Sequence, residues 1–122
     1  MPVRGIRGAI TVDNNTPEDI VQETRVLLKE MIEKNHIRKE DVCSIFFSVT
    51  LDLTSEFPAL AARQLGFTDT PLLCLTEIPV PESLGKVVRI LIHCNTKTSQ
   101  KDMIHVYLKE AVSLRPDLSA DS

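Results

Sequence analysis

Residues 3–12 alternate between apolar side chains and small or charged ones, a pattern that predicts a β-strand. Successive side chains of a strand point to opposite faces of a sheet. One face would carry Ile6, Ile10 and Val12, and the other Gly5, Arg7 and Ala9. Arg7 therefore has almost no bulk beside it, which leaves room for an anion or another subunit to approach its guanidinium. A surface strand arginine beside flexible glycines is the alternative interpretation.

A long amphipathic helix is predicted after this strand. Thr16 is suited to cap it and Pro17 to occupy its first position. Glu18 and Asp19 favour the positive end of the helix dipole. The apolar positions recur every three or four residues and form one stripe, made of Ile20, Thr24, Leu27, Leu28, Met31 and Ile32. The helix closes at residues 34–36.

Shorter patterns predict the remaining elements. They are strands at 42–50, 71–78 and 85–95 and helices at 59–65 and 99–106. Residues 107–114 could continue the last helix, but their alternation favours a final strand. The order β-α-β-α-β-β-α-β fits the α+β class, with a mixed β-sheet and helices packed on one face. Such a sheet leaves its second face bare, so we expect oligomerisation. Residues 1–118 are interpreted as a single domain and residues 119–122 as a flexible C-terminal tail.

Composition excludes several classes of function. The 122 residues include 14 Lys and Arg against 17 Asp and Glu, a net charge of -3 with both signs interspersed. This charge provides no basic field for nucleic acid or an anionic membrane, and the start lacks a secretory pattern, so we expect a cytoplasmic protein. Cys43, Cys74 and Cys94 are too widely spaced for a zinc or redox site, and the histidines have no metal-ligand spacing. We therefore expect reduced thiols, no metal and no cofactor.

One permanent cation, Arg89, lies in the middle of the apolar strand predicted at 85–95. An unpaired buried charge costs on the order of several kcal/mol, so Arg89 must have a partner. Glu77 is the best candidate, because it lies near the end of the preceding strand and a short link joins the two strands. A purely structural ion pair between Arg89 and Glu77 is the alternative to a functional site.

The surplus of arginine over acid at such positions favours a ligand. Glu77 is the only acid deep in a predicted strand, whereas four arginines lie in or beside apolar elements: Arg7, Arg63, Arg89 and Arg115. Several guanidiniums with one carboxylate are incomplete without an anion, and a polycarboxylate would complete them. Taken singly, Arg63 on the short helix and Arg115 before Pro116 also fit exposed surface residues.

These residues stand in segments whose order and spacing resemble one known family. The segments are Val3-Arg4-Gly5-Ile6-Arg7-Gly8-Ala9, Phe57-Pro58-Ala59 with Arg63, Glu77, Arg89, His105-Val106-Tyr107-Leu108 and Leu114-Arg115-Pro116-Asp117-Leu118. Together they are similar to the small monofunctional chorismate mutases of the AroH class, and the match covers nearly the whole chain. The resemblance implies a homotrimeric pseudo-α/β-barrel, with helices outside and active sites in clefts between subunits. That assembly would cover the bare face of the sheet.

The resemblance also implies a reaction and a role for each residue. The family converts chorismate to prephenate for Phe and Tyr biosynthesis, an intramolecular Claisen rearrangement without cofactor, covalent step or acid–base step. Arg89 would stabilise negative charge on the ether oxygen, Glu77 would accept a hydrogen bond from the ring hydroxyl, and Arg7 would bind a carboxylate. Tyr107 would bind the side-chain carboxylate. The implied lining is Phe57, Ala59, Leu72, Leu73 and Cys74, with Leu114 as a further contact and Arg63 and Arg115 at the mouth.

The chain departs from some family members at the periphery of this implied site. Leu60 replaces a lysine, Leu73 replaces a threonine, and the segment between Arg63 and Glu77 is one residue shorter. These changes concern substrate capture and pocket detail more than the chemical step. The alternatives are a trimeric small-carboxylate-binding protein, an enamine/imine deaminase of related shape, and a purely structural trimer.

Overall fold

A computed structural model describes residues 1–114 of the chain. Within that range the α-helices and strands are β1 Val3–Thr11, α1 Pro17–Lys34, β2 Val42–Val49, α2 Ala59–Gln64, β3 Leu72–Thr76, β4 Val87–Asn95 and β5 Val106–Leu108. Short 3₁₀ helices span Lys39–Asp41, Gln100–Asp102 and Lys109–Leu114. None of the helices in residues 1–114 has the length and apolar character needed to cross a membrane. Arg115 and the predicted tail at 119–122 lie outside the described residues.

The strands form one mixed sheet in the order β3-β2-β4-β1-β5. The central strand β4 runs antiparallel to both of its neighbours, β1 and β2. The outer strands β3 and β5 run parallel to β2 and β1. The predicted α+β class is therefore confirmed. Because Arg89 lies within β4, this order places the cation on the central strand of the sheet.

The helix α1 begins and ends where the sequence predicts. The side chain of Thr16 accepts a hydrogen bond from the backbone N–H of Asp19 at 3.2 Å, and Pro17 occupies the first turn. The helix packs closely on β1 because Gly8 has no side chain. A Cβ atom at Gly8 would lie 2.5 Å from Met31 Sδ, well inside van der Waals contact.

Both helices pack on the same face of the sheet, as predicted. α1 contacts β1 and α2, α2 contacts β3, and one apolar cluster joins the helices to the strands. Alternate strand positions supply the sheet side of this core: Ile6, Ile10, Ile45, Phe47, Val88, Ile90 and Ile92. The other face, here called the open face, carries Arg7, Phe46, Ser48, Leu73, Leu75, Arg89, Leu91 and Tyr107. A small cluster containing Tyr107 and Ala111 covers one end of it.

The helix predicted at 99–106 is wrong beyond its first turn. The capping residues bond each other, since the Ser99 hydroxyl donates to the Asp102 carboxylate at 2.8 Å and no side chain caps the backbone. The Gln100 amide is also engaged, because it accepts from Gly5 N at 2.8 Å and donates to Gly5 O at 2.7 Å. Side chains that would start a helix therefore bind each other and the edge of β1.

The final strand predicted at 107–114 is also too long. Only Val106–Leu108 pairs with β1, opposite residues 8–10, and the chain then turns into the 3₁₀ helix Lys109–Leu114. Lys109 makes this turn with a φ of 56°, in the left-handed region that lysine rarely adopts. The length of β5 depends on how much of the edge of β1 is free to pair with it. The alternation of residues 107–114 carries no information about that edge.

The three cysteines are free thiols, and Cys94 is the buried one. Cys94 is fully buried, and that burial, followed by the neighbouring Cys43 and Asp41, raises the pKa of its thiol. A thiol that stays protonated at neutral pH is a poor nucleophile. Cys74 is half-buried and packs against the helix-side core, as expected from the sequence.

Candidate active site

Arg89 lies between short side chains on the open face. Its Cα partners are Ala9 on β1 and Ser48 on β2. The Arg89 side chain is 42% exposed, although the strand residues on either side of it, Val88 and Ile90, are buried in the core. The sheet therefore presents one guanidinium at its centre, on the side away from the helices.

Glu77 is anchored beside Arg89 at the end of β3. Its backbone N–H donates to Val49 O at 2.9 Å, which continues the pairing of β3 with β2. Arg89 Nε donates to Glu77 Oε1 at 3.1 Å, and the Ser48 hydroxyl donates to Glu77 Oε2. The ion pair expected from the sequence is therefore present. It uses Nε, the guanidinium nitrogen nearest the backbone, and within residues 1–114 Arg89 donates to no other acceptor.

The open face also carries Arg7 on β1 and Tyr107 on β5. Arg7 lies opposite Leu91 and is exposed, whereas Tyr107 lies opposite Ala9 and is buried. The backbone N–H of Arg7 donates to His105 Nδ1 at 2.9 Å, which holds this part of β1. A groove of about 300 Å³, here called the open-face groove, is lined by residues that include Arg7, Phe46, Ser48, Arg89, Leu91 and Tyr107. Two predicted cations and the predicted tyrosine thus share one surface.

A second crevice, of about 390 Å³, lies at the edge strand β3. Phe57, Pro58 and Cys74 line it, and Phe57 is 66% exposed. Leu75 lines both this crevice and the open-face groove, so the two spaces meet at β3. Within one chain, however, Phe57 and Cys74 line a different space from the one that Arg7 and Arg89 line.

The remaining predicted site residues within residues 1–114 do not line either space. Ala59 belongs to the core and Leu72 is partly buried against it. Arg63 and Leu73 are exposed. Leu114 is partly buried against the cluster that contains Tyr107. Arg115 lies outside the described residues.

Sequence reasoning missed Ser48, which touches Glu77 directly. The available signal was a hydroxyl residue between Phe47 and Val49 in a mostly apolar strand. That signal shows that a polar group lies in the sheet, but it does not show what the group faces. The partner depends on the pairing of three strands, which cannot be derived from the sequence of one of them.

The site suits anion binding and the stabilisation of separated charge. Guanidiniums such as those of Arg7 and Arg89 offer planar forks of donors that match a carboxylate. Glu77 supplies one negative charge close to Arg89, so a ligand that develops charges of both signs could face both groups. Within residues 1–114, His, Cys, Asp and Glu side chains form no group of three that could hold a metal ion.

The fold and the site define an α+β protein whose sheet presents Arg7, Arg89 and Glu77 on its open face. The model of the chorismate mutase type I family matches residues 3–118, which is nearly the whole chain. The chain therefore belongs to the type I chorismate mutase family. The family, the fold class and the enzyme class expected from the sequence, an isomerase, are confirmed.

Individual relatives agree with the family match over almost their full lengths. The chain is 56% identical to the chorismate mutase AroH of Thermus thermophilus over 119 residues, covering 97% of this chain and 98% of the relative. It is 45% identical to the chorismate mutase AroH of Bacillus subtilis (strain 168) over 120 residues, covering 98% and 94%. The solved structure of a chorismate mutase from Clostridium thermocellum superimposes with a TM-score of 0.88 at 52% identity, covering 89% of this chain and 97% of that one.

Proposed function

We propose that this chain converts chorismate to prephenate at a site built around Arg89 and Glu77. The observation that supports the assignment is the bond from Arg89 Nε to Glu77 Oε1 at 3.1 Å on the open face. It holds both charges in fixed positions and leaves the two terminal NH₂ groups of the guanidinium for a ligand. Because the chain belongs to the chorismate mutases, that ligand is assigned as chorismate.

The rearrangement requires conformational restraint and charge stabilisation. Chorismate is a flexible dicarboxylate that must be held compactly, and Arg7 and Tyr107 are the proposed carboxylate-binding groups. As the ether bond breaks, negative charge grows on the ether oxygen, where Arg89 would stabilise it more in the transition state than in the ground state. Glu77 would accept a hydrogen bond from the ring hydroxyl and face the positive charge that develops on the ring. No cofactor, covalent intermediate or acid–base step enters this mechanism.

The proposed assembly is a homotrimer with active sites between adjacent subunits. Two observations support it: Leu73 and Leu75 on the open face are 52% and 49% exposed, and Phe57 is 66% exposed at the second crevice. Apolar side chains exposed together mark interaction surfaces in soluble proteins. A neighbouring subunit would bring one chain's second crevice against another chain's open-face groove. The other proposed contacts are Phe57, Ala59, Leu72, Leu73, Cys74 and Leu114, with Arg63 and Arg115 at the mouth.

The proposed location is the cytoplasm. Cys43, Cys74 and Cys94 are all free thiols, which is the usual state of cysteine in a reducing compartment. The even mixture of charges, with a net charge of -3, gives no affinity for an anionic membrane surface.

A direct assay tests the proposed function. Purified protein is mixed with chorismate, the loss of chorismate absorbance is followed, and prephenate is identified chemically. We expect fast, saturable conversion that a metal chelator does not change. Folded protein that converts no chorismate would contradict the proposal, and a rise in its melting temperature with an added dicarboxylate would then favour the carboxylate-binding alternative.

A further inference from the structure

Ser48 is the residue on the open face that completes the attachment of Glu77. Three groups hold Glu77: Val49 O accepts its backbone N–H at 2.9 Å, Arg89 Nε binds Oε1 at 3.1 Å, and the Ser48 hydroxyl binds Oε2. The Glu77 side chain is 19% exposed, so water has limited access to it. Each carboxylate oxygen therefore has its own donor, and the two donors come from different strands.

The strand register places Ser48 where it can act on both charges. Ser48 is the Cα partner of Arg89 on β4 and of Leu75 on β3, and Glu77 is the next residue after Leu75 on that face. The side chain of Ser48 thus lies between the strand of the cation and the strand of the anion. Its Oγ is bonded directly to Cβ, so the hydroxyl has few conformations and little reach beyond Glu77.

Two arrangements of the Glu77 carboxylate compete at this position. A free carboxylate beside a guanidinium favours a bidentate pair, in which both oxygens bind two nitrogens of the arginine. That pair would occupy a terminal NH₂ group of Arg89, which the proposed function needs for the ether oxygen. The Ser48 hydroxyl holds Oε2 and so opposes the bidentate pair. Each carboxylate oxygen keeps a lone pair, so Glu77 can still accept a hydrogen bond from the substrate hydroxyl.

We infer that Ser48 is a positioning residue for the rearrangement, which orients the Glu77 carboxylate and thereby keeps the terminal nitrogens of Arg89 available to substrate. This inference rests on the proposed function of the same site. It assigns to Ser48 an effect on kcat through Glu77, without direct contact with chorismate.

Three substitutions at Ser48 and one control test the inference. Ser48→Ala and Ser48→Cys remove the strong donor, and we expect each to lower kcat about tenfold, the effect of losing one hydrogen bond to a charged group. Ser48→Thr retains a hydroxyl and should stay within about threefold of the wild-type kcat. The matched control is Ser44→Ala, on the same strand and face, whose hydroxyl lies 3.3 Å from His93 Nδ1. We expect it to leave kcat unchanged.

A double-mutant cycle separates positioning from general destabilisation. In a Glu77→Ala background the Ser48 hydroxyl has no carboxylate to orient, so adding Ser48→Ala should change kcat less than about twofold. An equal loss in both backgrounds would overturn the inference, as would wild-type kcat in the Ser48→Ala and Ser48→Cys variants. Those outcomes are distinct from failure of the proposed function, in which the wild-type protein itself does not convert chorismate.

Discussion

At the scale of single residues, the environment of Arg89 decides what the site can do. A guanidinium on the central strand is stable because Glu77 lies 3.1 Å from its Nε and because short neighbours, Ala9 and Ser48, leave its outer side open. Because the Arg89 side chain is 42% exposed and the Glu77 side chain 19%, breaking the pair costs less than in a dry interior, but it leaves the more buried Glu77 without its cationic partner. The pair therefore serves stability, while the unused terminal nitrogens are the proposed binding groups.

Arg89→Lys should preserve folding and remove most of the catalysis. Lysine keeps the positive charge but loses the planar fork that can bind Glu77 and substrate together. Losing one preorganised donor costs about a hundred- to a thousand-fold in rate, and we expect kcat to fall by that factor. Steady-state kinetics with circular dichroism checks both parts of the prediction.

The control for this substitution is Arg38→Lys. Arg38 has a 71% exposed side chain on a surface turn, and its ion pairs with Glu40 and Asp41 are also at the surface. We expect its kinetics to match those of the wild type. Near-normal turnover by Arg89→Lys would refute the role assigned to Arg89.

At the scale of elements, side chains bind backbone groups of β1 that the short strand β5 leaves unpaired. The outer edge of β1 binds β5 only at residues 8–10. Before those residues in β1, the Gln100 side chain forms hydrogen bonds with the N–H and the carbonyl of Gly5. The His105 ring accepts a hydrogen bond from the N–H of Arg7. These contacts continue the hydrogen bonding along the edge of β1 without a further strand. They also hold in place the backbone of Arg7, the proposed carboxylate-binding residue.

Gly8→Ala tests how closely α1 approaches β1. The added methyl group would meet Met31 Sδ at 2.5 Å and Leu27 Cδ1 at 3.1 Å, in a fully buried part of the core. We expect a loss of about 1–3 kcal/mol in the free energy of unfolding, measured by urea denaturation. Gly5→Ala is the matched control on the same strand, because its nearest contact would be 3.8 Å away. Equal stability of the two variants would show that the helix packs less tightly.

Lys109 holds the turn between β5 and the following 3₁₀ helix. Its Nζ donates to Glu23 at 2.6 Å and to Asp13 at 3.2 Å, which ties this turn to α1 and to the loop after β1. The hydrogen bond to Glu23, followed by the other contacts with Glu23 and Asp13, raises the pKa of Lys109 above its ordinary 10.5, against an opposing effect of partial burial.

The stabilisation by Lys109 should therefore disappear at high pH. A group whose folded-state pKa is raised stabilises the fold fully below its unfolded pKa, and the effect is lost as the pH rises through the folded value. Wild type should be more stable than Lys109→Met at neutral pH, and the difference should shrink only above about pH 10.5. Urea midpoints across this range measure the difference. For Lys29→Met, at an exposed position of α1, we expect no such trend; a constant difference for Lys109→Met would contradict the assignment.

At the scale of the whole molecule, the two faces of the sheet have opposite characters. One face is sealed by α1 and α2, while the open face presents Leu73 and Leu75 on the edge strand β3 and Arg7 on β1. Single exposed apolar residues are ordinary on protein surfaces, but a contiguous set around a charged groove indicates an interface. The proposed homotrimer would bury this surface and complete the site at the same time.

Leu73→Glu should dissociate the proposed trimer. A carboxylate in the apolar centre of an interface carries a desolvation cost that the assembly cannot offset. Native mass spectrometry should give the mass of three chains for the wild type and the mass of a single chain for the variant. We expect the variant to lose activity as it dissociates. Val26→Glu, on α1 at 37% exposure, should remain a trimer. A fully active wild-type monomer would contradict the assembly.

The sequence by itself determined the elements whose signals are local. Thr16 and Pro17 mark the start of α1, its apolar stripe repeats within the helix, and alternation defines β1, because each of these preferences acts between residues a few positions apart. The acidic partner of Arg89 was equally visible, since a cation in the middle of an apolar strand favours a nearby carboxylate wherever the strand lies.

Only the tertiary structure decided which residues meet. Ser48 and Glu77 are 29 positions apart, and Arg7 and His105 are 98 apart, so their contacts depend on the order and register of the strands. The same order supplied the free edge of β1 that shortened β5 and replaced the predicted third helix. Strand pairing is set by burial and packing over the whole sheet, and local preference yields to it.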